Sequence, residues 1–169
     1  MSAISSLITA VFNLFKRIPR SLISLLARLS LAVTFLNSFS TKVEGIQIQD
    51  LIPTQFDLSK FKIADKTYFL FENVYHVPLL PSSFATVMAT TAELVCPVLL
   101  ILGLATRFSA LALLGMTLVI QTFVFGTFQA FVNPHITWIF ACLYLMRYGA
   151  GKISLDWLLG DRSGDAVTS

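Results

Sequence analysis

The chain has 169 residues, of which 56% are hydrophobic and 12% charged, with a mean hydropathy of +0.78 and a formal net charge of +3. A water-soluble domain of this length carries about twice that charged fraction, so composition points away from a soluble fold and toward one compact domain solvated mostly by lipid. No Lys/Arg-rich run with interleaved aromatics occurs, which argues against nucleic acid as a partner.

The elements are taken in chain order. Residues 1–21 form an N-terminal amphipathic segment, with Ile4, Leu7, Ile8, Val11, Phe12 and Phe15 on one helical face and Lys16, Arg17 and Arg20 behind them. A secretory signal places its charges first and a small-residue cleavage site last. This order is the reverse, so an interfacial helix is expected. Four spans follow, at about 22–41, 84–104, 107–126 and 133–148, each judged against the roughly 20 apolar residues that cross a bilayer. The third core stretch, Phe108 to Phe125, contains no charge, and the fourth is the shortest. The predicted fold is therefore all-α: a four-helix transmembrane bundle within residues 22–159, ending in a tail at 160–169.

Basic flanks orient the bundle. Lys16, Arg17 and Arg20 precede the first span, Arg107 marks the second turn, and Arg147, Lys152 and Arg162 follow the fourth. The stretch Gly126 to Pro134 carries no charge. Both termini are thus expected in the cytoplasm of a bacterial inner membrane, with the loop Thr41 to Ser83 outside. That loop mixes both signs of charge and contains the aromatic stretch Tyr68 to His76, followed by Val77-Pro78-Leu79-Leu80-Pro81. Aromatics favour the headgroup region, and proline ends helices. A short interfacial helix that roofs the bundle is expected.

Two charges fall inside spans, Arg28 and Glu93. A charge there costs about 2.5–3.5 kcal/mol on insertion scales and usually turns inward to a partner. At 1.5 Å per residue, Arg28 lies roughly 17–20 Å and Glu93 roughly 13–14 Å below the outer end, a gap an arginine side chain spans. A buried Arg28–Glu93 pair is feasible, as a structural lock or as part of a ligand site; the alternative is Arg28 snorkelling to the inner face with Glu93 protonated. Asn37, Ser38 and Ser40 end the first span, Gln121 lies in the outer half of the third, and His135 opens the fourth. Arg28, Asn37, Glu93, Gln121 and His135 form the candidate ligand-binding set. They would line a polar pocket suited to a small headgroup or a quinone ring; taken one by one, they read as interhelical hydrogen bonding. Neither a metal site nor a catalytic residue is assigned, because His135 and Glu93 fall short of the usual three or four ligands. Cys96 and Cys142 read as buried small hydrophobes. Pro97 frees the carbonyl of Glu93 itself, four residues back. Gly103, Ala105, Ala112 and Gly115 are small residues suited to helix contacts, within one chain or in a homo-oligomer.

The ordered set Arg28, Ser38-Phe39-Ser40-Thr41-Lys42, Thr91-Ala92-Glu93-Leu94, Leu102-Gly103-Leu104-Ala105-Thr106-Arg107, His135 with Trp138, and Gly149-Ala150-Gly151-Lys152-Ile153-Ser154-Leu155-Asp156 resembles the DoxX family of small four-span membrane proteins over residues 22 to 159. Phe39 stands where many members have glycine, with a lysine nearby, and Ala150 where proline is common. The segment 77–81, with Pro97 and Thr117 to Gln121, looks most like a bacterial branch that accompanies small metal-binding ribosomal peptides and their modifying enzymes. The resemblance implies a subunit of a redox or stress-response system, with quinone as the cofactor class. The alternative is a non-catalytic scaffold or assembly factor that recruits a protein partner through its outer loop. Membrane lipid is the expected surrounding partner in both cases.

Overall fold

A computed structural model of the chain describes residues 2–44, 62–75, 77 and 80–161. His76, Pro78, Leu79, Arg162 and the middle of the long loop, all of which enter the expectations above, lie outside the described residues. Every regular element among the described residues is helical: α1 Ser2–Lys16, α2 Arg20–Lys42, α3 Asp65–Asn73, α4 Ser82–Leu102, α5 Thr106–Val119, α6 Phe128–Ala130, α7 Ile136–Tyr148 and α8 Leu155–Leu158. The chain contacts itself in extended form at one antiparallel bridge, Val43 with Ile63.

Among the described residues, three helices are long and apolar enough to cross a membrane: Arg20–Lys42, Ser82–Leu102, and α5 with its π-type continuation to Val124. The predicted fourth segment is broken. It runs through α6, a π-type turn Phe131–His135 with Asn133 out of helical conformation, and then the 13 residues of α7. Pro134 accounts for the break, since it lacks the N–H a continuous helix needs.

The helices α2, α4, α5 and α7 pack as a ring, α2 against α4 and α7, and α5 against the same two. The apolar core between them holds Leu31, Phe35, Leu100, Leu113, Leu145 and both cysteines. On α4 the buried residues Thr86, Thr90, Glu93, Cys96, Pro97 and Leu100 recur at helical spacing, the inward stripe expected of a packed helix. Thr86 and Thr90 tolerate burial by donating to the carbonyls of Ser82 and Thr86, the i−4 bond open to a helical threonine. The outward faces are the reverse, with Val87, Val95, Phe108, Leu111 and Phe140 exposed. Such a surface belongs in hydrocarbon.

One end of the ring carries the long loop and is termed the loop end; the other, with the α4–α5 turn and the C-terminal segment, is the tail end. At the tail end Gly103 adopts φ +65°. Its N–H bonds Leu100 O, and that of Leu104 bonds Leu99 O, a Schellman stop that favours glycine. Asp156, arriving from the C-terminal segment, accepts the N–H groups of Ala105 and Thr106 at 2.7 and 2.9 Å. It thereby caps α5 from 50 residues away, placing negative charge where the helix dipole is positive. At the loop end the carbonyl of Lys42 accepts both Ala64 N–H and the Thr67 hydroxyl, and α3 packs against α4. Tyr68 to Asn73 of the aromatic stretch lie in α3, a helix that begins three residues before those aromatics. Asp65 leads it, a favourable charge for a first helical turn.

Candidate functional site

Glu93 sits midway along α4 with its side chain 2% exposed. Its partner is Lys42, not Arg28. The Lys42 ammonium lies 2.9 Å from each carboxylate oxygen, aligned as a hydrogen bond to Oε1 and as an ion contact to Oε2. The Ser38 hydroxyl donates to the same Oε1 at 3.0 Å and accepts from Lys42 Nζ at 2.8 Å. Ser38 and Lys42 are four residues apart, so they share one face of α2, and the lysine reaches back toward the membrane interior. Burial of a carboxylate is tolerable only with such pairing and hydrogen bonding.

Tyr75, two residues beyond α3, comes within electrostatic reach of Glu93. Its phenol is pushed above its ordinary range, first by burial and second by the negative charge of Glu93.

Arg28 corrects the sequence expectation. Its guanidinium donates to Leu100 O and Ile153 O at the tail end, against Gly103, where a Cβ would collide with the Arg28 guanidinium and with Ser154. Leu100 lies seven residues beyond Glu93, about 10 Å along the helix. The carbonyl of Leu100, which also accepts the Gly103 N–H, and that of Ile153 take the arginine where a carboxylate was expected. Asn37 is the second correction: it is exposed, and only its backbone carbonyl is engaged, by Ser40.

Gln121 and His135 are brought together as a pair. His135 Nδ1 donates to Gln121 Oε1, while the Gln121 amide nitrogen donates to Phe125 O and Thr127 O. An acceptor-only oxygen requires the proton on Nδ1, leaving Nε2 of a neutral ring as an acceptor. His135 is buried and its ring lies 5.0 Å from that of Trp138, which in turn is 5.5 Å from Phe35. Phe35 is one turn before Ser38, so an aromatic layer joins the imidazole to the helix that carries the lysine. Sequence reasoning left Lys42 among the mixed charges of the loop; its i, i+4 spacing from Ser38 was the available signal.

These features define a class: a helical membrane protein whose packed helices enclose a neutralised carboxylate and a separate histidine–glutamine pair. The DoxX family model matches residues 23–127, which covers Ser38, Lys42, Tyr75, Glu93 and Gln121. The chain belongs to the DoxX family. No curated protein and no solved structure gives a match.

Proposed function

We propose that the chain is a four-span inner-membrane subunit of a bacterial redox or stress-response system, with both termini cytoplasmic, and that it binds a quinone or similar small ligand at the loop end. The observation that carries this reading is Glu93 buried against Lys42 and Ser38. Lys42 is 17% exposed where Glu93 is sealed, so the lysine faces the approach. An ammonium has three donors, and a ligand carbonyl would take one of them. Tyr75 and Trp138 supply flat apolar surface of the kind that walls small-molecule sites. His135 Nε2 offers an acceptor for a ligand hydroxyl. Displacing Lys42 from Glu93 would let the carboxylate take up a proton, which couples ligand entry to protonation. Arg28 and Asn37 leave the ligand set, the first engaged at the tail end and the second facing outward. The broken α6–α7 segment serves as the fourth span by tilting little and drawing the bilayer in, a modest cost for a short helix.

The test is native mass spectrometry, with analysis of extracted lipids, on protein gently released from its membrane as wild type, Glu93→Gln and Lys42→Met. Ligand present in the wild type and lost from both variants is expected. Unchanged ligand content in Glu93→Gln would sink the proposal.

A second reading, a scaffold that recruits a protein, is favoured by one observation. α3 is pinned to α2 yet leaves Phe69 61% exposed, beside an exposed Val74. Substituting Phe69→Ser would then release a co-purifying protein from chains whose ligand content is unaltered.

A further inference from the structure

A cavity opens at the tail end, where the loop Gly149–Gly151 crosses the first turn of α2, and none of the ligand chemistry above uses it. Its wall includes Arg20, Ser21, Tyr148, Lys152 and Trp157. Close packing shapes it. Gly151, at φ +79°, lies so near α2 that a Cβ there would come within 2.8 Å of Ser21 Cα. The Lys152 N–H donates to the Ser21 hydroxyl at 3.0 Å, tying the loop down while its ammonium stays at the exposed surface. Arg20 is held over the Tyr148 ring, 5.6 Å from its centroid, the geometry of a cation–π contact. Two cationic residues therefore share the wall of one small opening.

One nearby acid is engaged away from the cavity. Asp156 is held by the amides of Ala105 and Thr106, which leaves Asp161 as the one acid in the cavity wall against the two cations Arg20 and Lys152. Lys16, Arg17, Arg107 and Arg147 add positive charge at the same end. Basic side chains next to membrane surfaces attract anionic headgroups by about 1 kcal/mol each, and tyrosine and tryptophan mark the headgroup depth. A compact anion at that depth is a phosphate.

We propose that this cavity is a phosphate site that holds the headgroup of an anionic phospholipid between Arg20 and Lys152. The site rests on the membrane placement of the helices and is independent of any ligand at Glu93. Two sources share the chemistry, a lipid phosphodiester and free phosphate, and the experiment separates them. Purified full-length protein in neutral detergent is titrated with phosphatidylglycerol, phosphatidylcholine and inorganic phosphate, with bound lipid read by native mass spectrometry and phosphate by the thermal shift. Wild type is expected to retain phosphatidylglycerol over phosphatidylcholine. Arg20→Gln/Lys152→Gln should weaken phosphatidylglycerol by about tenfold or more, while Arg17→Gln/Arg147→Gln, which removes the same charge outside the cavity, should weaken it clearly less. The swapped pair Arg20→Lys/Lys152→Arg keeps both charges and should keep binding, which guards against loss of fold. A thermal shift with inorganic phosphate, absent in the Gln pair and not produced by phosphatidylglycerol, would keep the site and assign it to free phosphate. Equal binding of the two lipids without any phosphate effect, or equal losses in both Gln pairs, would overturn the proposal.

Discussion

At the residue scale the governing fact is that Glu93 has no solvent to fall back on. Removing one partner of a buried ion pair leaves an uncompensated charge, whereas replacing both by apolar groups can be close to neutral. Lys42→Met is therefore expected to destabilise the protein by about 3 kcal/mol, and Lys42→Met/Glu93→Met to recover most of that loss. Thermal unfolding in detergent, followed by circular dichroism, reads both. Tyr75 offers an independent check on the same carboxylate. Its raised pKa follows from burial and then from Glu93, so ultraviolet titration should find one phenol ionising later than the others, absent in Tyr75→Phe. In Glu93→Gln that phenol should ionise at lower pH than in the wild type. The sign for stability follows: a raised phenol contributes fully below its unfolded pKa near 10 and is lost as pH climbs through the folded value. Loss of stability should therefore begin above pH about 10 and be weaker in Tyr75→Phe.

Among the elements, the tail end is a lock built from three distant segments. Gly103 stops α4 in a left-handed turn, Arg28 bridges Leu100 and Ile153, and Asp156 caps α5. Gly103→Ala meets both a strained backbone and two side chains in its path, so a destabilisation of about 1–3 kcal/mol is expected from the strain alone. Asp156→Asn keeps the shape and removes the charge. It should cost about 1 kcal/mol, the usual worth of a charge at a helix N-terminus, and limited proteolysis should show the segment after Tyr148 cut earlier. The motifs around Gly103 and Gly149 were visible as part of an ordered pattern, but nothing in their spacing showed that they meet. Their meeting depends on where α7 ends, which is a property of the packed ring.

For the molecule as a whole, the arrangement of charge makes the topology testable. Lys66 on α3 and Lys152 beyond α7 are both exposed and lie at opposite ends of the ring, and the two native cysteines are buried in the core. Single Lys66→Cys and Lys152→Cys variants should react with a membrane-impermeant maleimide from opposite sides in oriented membranes, Lys66→Cys from outside in intact cells. Labelling of both from one side would reject the proposed orientation. Gly115 bears on assembly: nothing lies within 4 Å of a Cβ built there, on a face of α5 that also exposes Leu111 and Leu118. Of the small residues expected at helix contacts, Gly103 is used within the chain and Gly115 is left facing outward.

Hydropathy and charge counting were enough to find the long helices and their flanks, because the cost of burying backbone in lipid forces continuous apolar helices wherever a chain crosses. Membership of the DoxX family was legible for a related reason: its marks are local residues in a fixed order. The presence of a buried carboxylate was equally plain, since a lone acid in an apolar run has nowhere else to go. Its partner was not. Depth along isolated helices made Arg28 and Glu93 near neighbours, but the true choice was among all donors and acceptors at each level of the packed ring. Lys42 reaches down from the helix end to the carboxylate, and the carbonyls of Leu100 and Ile153 draw Arg28 the other way. Charge type and depth are properties of the chain, whereas pairing is decided by which groups packing leaves unsatisfied at the same height.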